Sequence, residues 1–252
     1  PDLLARKIMC FTLLRVVPAL TVGLEFDADY LLEIASDLAD PDTNQTNIFG
    51  LGHISAKHLM STRGGESSIR ASAYWLVGES LTNVVNDLNG LSNIAGLEAL
   101  RLAHLWYQYE TDSFRVKLGR FDIDDDFMAF ESGADLINSS FGAFANVTAN
   151  MPVPTYPVPG LAALASFRWS MNTYLDIAVM DGDAGAESQH DNFGFDFGSR
   201  GIGGVFVLTQ FNHTLTEWAA GANILLGVGL HSGDFDSFNG QRKRSEEHTF
   251  EL

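Results

Sequence analysis

Thr21-Val22-Gly23-Leu24-Glu25-Phe26-Asp27-Ala28-Asp29-Tyr30-Leu31-Leu32-Glu33-Ile34 is the stretch on which the fold turns. One parity reads Val22, Leu24, Phe26, Ala28, Tyr30, Leu32, Ile34, and the other reads Thr21, Gly23, Glu25, Asp27, Asp29, Leu31, Glu33. A period of two places these sets on opposite faces of an extended strand. The run is far longer than the ~5–6 residues of an ordinary globular strand. It suits a membrane strand, which needs ~9–11 residues, an apolar outer face and a polar inner one.

The same two-faced pattern returns along the chain. Trp218, Ala220, Ala222, Ile224, Leu226, Val228 and Leu230 oppose Ala219, Gly221, Asn223, Leu225, Gly227, Gly229 and His231, a second face of mostly small residues that leaves space. Ile69, Ala71, Ala73, Trp75 and Val77 form another apolar row; Ala103, Leu105, Tyr107 and Tyr109 oppose His104, Trp106, Gln108 and Glu110; Phe114, Val116 and Leu118 oppose Arg115, Lys117 and Gly119. Thr111-Asp112-Ser113 between the last two reads as a hairpin turn. Leu175, Ile177 and Val179 make a further row, and weaker strands fit 50–60, 163–169 and 203–211. About nine strands emerge, with no amphipathic helix among them.

The connections 78–97, 122–160 and 181–200 are long and rich in Gly, Asn, Asp and Pro. Tight turns on one rim and long loops on the other are the asymmetry of an outer-membrane barrel. A soluble β-sandwich would alternate equally well. Strand length, an apolar face ending in Trp75, Tyr107, Tyr109, Trp169 and Trp218, and opposite faces that are charged or glycine-lined favour the barrel.

Composition agrees. The chain has 252 residues, 46% hydrophobic and 19% charged, with 15 Lys+Arg against 32 Asp+Glu. A formal charge of -17 argues against nucleic-acid binding. A single cysteine, Cys10, forms no intramolecular disulfide and supports no structural zinc site. The longest apolar run is interrupted by Arg15 and Pro18, so no transmembrane helix is expected; alternating strands also account for a mean hydropathy of +0.03. Arg6-Lys7 before an apolar stretch resembles a secretory leader, but no cleavage site follows. Pro1 is not an initiator, so the chain is expected to begin inside a longer frame. The segment from Arg244 resembles a translated sequencing adapter. The expected organisation is an unassigned segment 1–20, a partial barrel over 21–240, and a tail 241–252 that is an artefact from 244.

Several motifs follow one another in a specific order. They are Asp87-Leu88-Asn89-Gly90-Leu91-Ser92-Asn93-Ile94, Lys117-Leu118-Gly119-Arg120-Phe121-Asp122, Asp126-Phe127 through Glu131-Ser132 to Asn138-Ser139-Ser140-Phe141-Gly142, and Ala149-Asn150-Met151-Pro152 with Tyr156-Pro157. Phe167-Arg168-Trp169, Val179-Met180-Asp181-Gly182-Asp183 and His231-Ser232-Gly233-Asp234-Phe235 continue the series. Together they resemble the carbohydrate-selective porin (OprB) family. The resemblance implies an all-β fold, a transmembrane antiparallel β-barrel of which this chain holds about nine of sixteen strands. It also implies an outer-membrane location in a Gram-negative bacterium and passive diffusion of small sugars into the periplasm. The family's Trp-Gly-Gly segment before the first strand is not visible in 1–20.

A sugar pore needs a constriction whose side chains replace hydroxyl hydration yet release the solute. Arg70, Arg115, Lys117 and Arg120 lie on polar strand faces or at a strand end; Asp122, Asp124, Asp125, Asp126 and Glu131 open the long loop, and Asn138 follows in it. Opposed charges across a lumen would orient a neutral polyol, and Trp106 or Tyr74 could stack on a pyranose if they point inward. The bland alternative is that such charges pin a loop, and that Asn138 to Gly142 bonds only its own backbone. The Asp122–Asp126 cluster could offer carboxylate oxygens to calcium, yet it lacks the glycine and distal glutamate of an EF-hand, and His53 and His58 fall on opposite faces of a strand, so calcium is left open and no metal is assigned. No nucleophile elbow, P-loop or zincin motif is present, and neither an enzymatic activity nor a cofactor is expected. The expected partners are small sugars and outer-membrane lipid, with a homo-oligomer left open. The competing reading is a soluble all-β carbohydrate-binding or structural module.

Overall fold

The computed structural model describes residues 9–16, 23–36, 46–78, 90, 92–94, 96, 98–127, 145–148, 151–184, 203–215, 222–236, 242–244 and 247–251. Ten strands follow in order: β1 (Met9–Val16), β2 (Leu24–Ser36), β3 (Thr46–Thr62), β4 (Gly65–Val77), β5 (Ala99–Glu110), β6 (Phe114–Phe121), β7 (Gly160–Ser170), β8 (Thr173–Asp181), β9 (Val205–Leu215) and β10 (Ala222–His231). Each pairs antiparallel with its sequence neighbour. β11 (Asp234–Asp236) and β12 (Arg242–Arg244) form a separate small hairpin, and β13 (Glu247–Glu251) pairs with β10, so the main sheet has eleven strands. The two beyond the expected nine are β1 and β13, which lie in segments where alternation is weak and backbone pairing alone defines the strand.

The connections β3–β4, β5–β6 and β7–β8 are tight and fall on one rim. Thr111 N donates to the Phe114 carbonyl (2.7 Å) in the second of them, as hairpin spacing requires. The long connections β4–β5, β6–β7 and β8–β9 lie on the other rim.

Apolar side chains of the outer parity face away from the sheet unpartnered: Ile54 is 62% exposed, Trp75 55% and Trp169 65%. A soluble module would have buried that face; a membrane strand presents it to lipid. Tyr30 lies over the notch left by Gly50 on the same face, where a Cβ would sit 2.6 Å from its hydroxyl. His53 falls on the inner face of β3 and His58 on the outer.

The inner wall differs from the expectation of an unbroken hydrophilic lining. Towards the tight-turn rim it carries Ser166, Asp176, Gln210 and Asn212, but towards the long-loop rim it carries Leu164, Ala178, Met180, Phe206 and Leu208. Ile123, Phe127, Val147, Met151 and Val153 of the β6–β7 connection pack onto those residues in a dry cluster. A second cluster joins Phe49, Leu51, Tyr74, Leu76 and Ala103 to Ile94, with Tyr156 against it. The long connection therefore folds onto the inside of the wall, and the wall turns apolar where it is covered.

One strand face also shifts. Ser72 pairs with His104 but Ala73 with Leu102, leaving Ala103 as an extra residue on β5. This bulge turns Ala103 inward with His104, whereas strict alternation placed it outward with Leu105.

Candidate functional site

The site is built where β6 runs into the long connection. Ile123 and Phe127, four apart, both sink into the dry cluster, and the Phe127 amide donates to the Ile123 carbonyl (2.9 Å). Anchoring these two forces the intervening 3-10 turn (Ile123–Asp125) against the wall and presents its carboxylates to the inward side chains of β4, β5 and β6. Gly119 fits β6 against β5 just before this turn: its φ is +142°, and a Cβ there would collide with the Leu105 carbonyl and the Trp106 Cα.

Asp126 is the hub. Arg115 Nη1 donates to one oxygen (2.8 Å) and Lys117 Nζ to the other (2.7 Å). Lys117 is buried, with its ammonium 4.1 Å from the Phe121 ring centroid and 5.0 Å from that of Trp106. Arg115 also reaches towards Asp176 (3.9 Å), whose other oxygen accepts from Asn212 Nδ2 (3.1 Å), itself bonded to Gln210.

A second branch runs through His104. Its Nε2 lies 3.0 Å from Asp125 and 3.6 Å from Asp122, its Nδ1 bonds the Ser72 hydroxyl (2.6 Å), and Tyr74 donates to Asp122 (3.1 Å). Burial raises the Asp122 carboxyl above the usual carboxylate range despite the hydrogen bond and charge of His104. Asp124 is pushed up to about 7, by burial first and then by the Asp122 charge, although it accepts from the Tyr156 amide (3.4 Å). Burial alone would raise Asp125 too, but His104, Lys117 and Arg70 together outweigh it and hold Asp125 low.

Of the residues singled out from the sequence, Arg115, Lys117 and Asp126 meet directly, and Asp122 and Asp124 share the same turn. Arg70 points inward from β4, close enough for its charge to act on Asp125. Arg120 is buried and donates from Nε to the Leu102 carbonyl at the β5 bulge (3.3 Å). Glu131 and Asn138 lie outside the described residues. Trp106 and Tyr74 do point inward, but both are covered, one beneath Lys117 and one bonded to Asp122, so neither offers an open stacking face.

Beside this hub opens a cavity of about 880 Å³, lined among others by Arg115, Asp126, Ser166, Arg168, Tyr174 and Asp176. Arg168 Nη1 is bound to Glu110 (2.6 Å) at its edge. Asp176, Arg168 and Tyr174 were not selected from the sequence, although the inward parity of β8 and β7 carries them. The site is a mixed-charge wall next to open space, able to exchange hydrogen bonds with a polar solute.

The model of the OprB family, described as carbohydrate-selective porin, matches residues 62–246. The chain belongs to that family. The fold is shared with Pseudomonas putida OprB, in a solved structure described as a high-pH one, with a TM-score of 0.77 and 16% identity. The match covers 89% of this chain and 59% of that one, so the chain spans little more than half the length of its structural relative. No curated protein matches. This OprB-family chain is thus part of an outer-membrane β-barrel of a Gram-negative bacterium.

Proposed function

We propose that the complete protein lets small carbohydrates diffuse passively through the outer membrane into the periplasm, without catalysis. The constriction is formed by Arg70, Arg115, Lys117, Arg120, Asp122, Asp124 and Asp126, with Glu131 and Asn138 on the same connection. The observation that carries this reading is the seating of Asp126 between Arg115 and Lys117 beside a cavity of about 880 Å³. Paired opposite charges leave little net field for an ion to follow, yet offer many donors and acceptors to a neutral polyol. Tyr174 adds an aromatic ring to the cavity wall, and the apolar outer face supports lipid as the surrounding solvent.

The test is ion current through the full-length protein in planar bilayers, with a neutral hexose added. Sugar should block the current, and Arg115→Ala should weaken that block by roughly tenfold, the loss of one charge-assisted hydrogen bond. Block of equal strength in the variant, or none in the wild type, would defeat the proposal.

A further inference from the structure

A second group of side chains converges on the inner wall, away from the Asp126 hub. Asp27 and Asp29 occupy inward positions two apart on β2, and His53 on β3 is the register partner of Asp29. One ligating atom from each lies within 4.8 Å of the others. His53 Nδ1 is 4.0 Å from Asp29 Oδ2, beyond hydrogen-bond reach. Its Nε2 is sealed from solvent and has no hydrogen-bond partner among the described residues, while the rings of Tyr74 and His104 pack against the imidazole with centroids at 5.4 and 6.5 Å.

An exposed acidic patch has no such imidazole held in register by two paired strands. We propose that Asp27, Asp29 and His53 bind a divalent first-row transition ion on the lumen wall, with Zn²⁺ as the reference case.

The dimensions and chemistry fit. Zinc bonds of ~2.0–2.2 Å in a tetrahedron place neighbouring ligand atoms ~3.4 Å apart. The His53–Asp29 separation of 4.0 Å must therefore close by roughly half an ångström, and the full spread of the three atoms, up to 4.8 Å, by roughly 1.4 Å, through side-chain rotation. One imidazole nitrogen with two carboxylates suits such ions, whereas three donors fall short of the ~6–8 oxygens that calcium takes. Arg70, whose charge reaches the same imidazole, opposes the ion electrostatically and sets a limit on affinity. The site does not depend on which solute passes the pore.

The experiment uses the full-length, tag-free protein, stripped of metal in detergent. Titration with Co²⁺ should produce visible ligand-field bands, and Zn²⁺ should displace the Co²⁺ at one ion per chain. His53→Ala and Asp29→Asn should weaken binding by more than roughly 10–100-fold, the loss caused even by outer partners of metal ligands. Arg70→Gln should tighten it. If His53→Ala fails to fold, Asp27→Asn and Asp29→Asn, which keep side-chain size, carry the comparison. No bands in the wild type, equal binding in the ligand variants, or displacement by Ca²⁺ or Mg²⁺ as effective as by Zn²⁺ would overturn the assignment.

Discussion

Replacing Asp126 by asparagine keeps the shape of the hub and removes its charge. Arg115 and Lys117 donate to this carboxylate at 2.8 and 2.7 Å, and the Asp126 and Lys117 side chains are only 6% and 4% exposed. Breaking a buried pair by removing one partner costs ~3–5 kcal/mol, because the remaining charge is left uncompensated. Asp125 at 3.9 Å and the rings of Trp106 and Phe121 recover part of this for Lys117, at ~1–2 kcal/mol. The net weakening of the turn against the wall is then on the order of 3 kcal/mol, or roughly a hundredfold in the ratio of docked to undocked turn. Single-channel recording should show new current fluctuations in Asp126→Asn, and thermal unfolding should fall. Adding Lys117→Met should restore much of the loss, since an apolar side chain does not need the missing anion. Quiet currents and an unchanged melting temperature in Asp126→Asn would refute the reasoning.

Gly119→Ala is expected to destabilise the β5–β6 hairpin by ~2 kcal/mol or more, because a Cβ there meets backbone at a left-handed φ; heat-induced loss of the folded form measures it. Ile54→Lys, on the lipid-facing side, should cost ~2–4 kcal/mol in folding into lipid vesicles; a substitution cost near zero would indicate a water-exposed face. The raised Asp124 carboxyl makes the folded protein hold a proton that the unfolded chain releases, so its contribution is complete below pH ~4 and decays as pH rises to about 7, by on the order of 4 kcal/mol. The lowered Asp125 acts oppositely, its contribution being lost as pH falls below the ordinary carboxylate range. Melting temperature should therefore be highest at mildly acidic pH, and Asp124→Asn should lessen the decline towards neutrality, leaving the part that the raised Asp122 contributes.

The sequence carries the sheet because period two is written into nearly every spanning strand: Leu24 to Ile34, Ile69 to Val77 and Ile224 to Leu230 need only be read by parity. Parity fails where a bulge inserts a residue, as at Ala103, since no local composition marks the slip. It also fails where both faces are apolar, as at Val205 to Leu208, because one side meets lipid and the other meets a folded-back connection. Within the site, Arg115, Lys117 and Asp126 are close in sequence and could be grouped from it. His104, Ser72 and Asp176 come from other strands and need the register, and the proposed metal site of Asp27, Asp29 and His53 depends on pairing between β2 and β3. Its individual residues look like ordinary lining until the strands are laid side by side.

The contacts at Asp126 span just eleven and nine positions of chain, from Arg115 and Lys117. The central ion pairs of the proposed constriction are therefore written into one continuous stretch of chain, although Arg70, His104 and Asp176 join them from other strands. These two pairs can form as soon as one hairpin and its following turn emerge, before the strands that supply Asp176 and Phe206 arrive to hold the turn down.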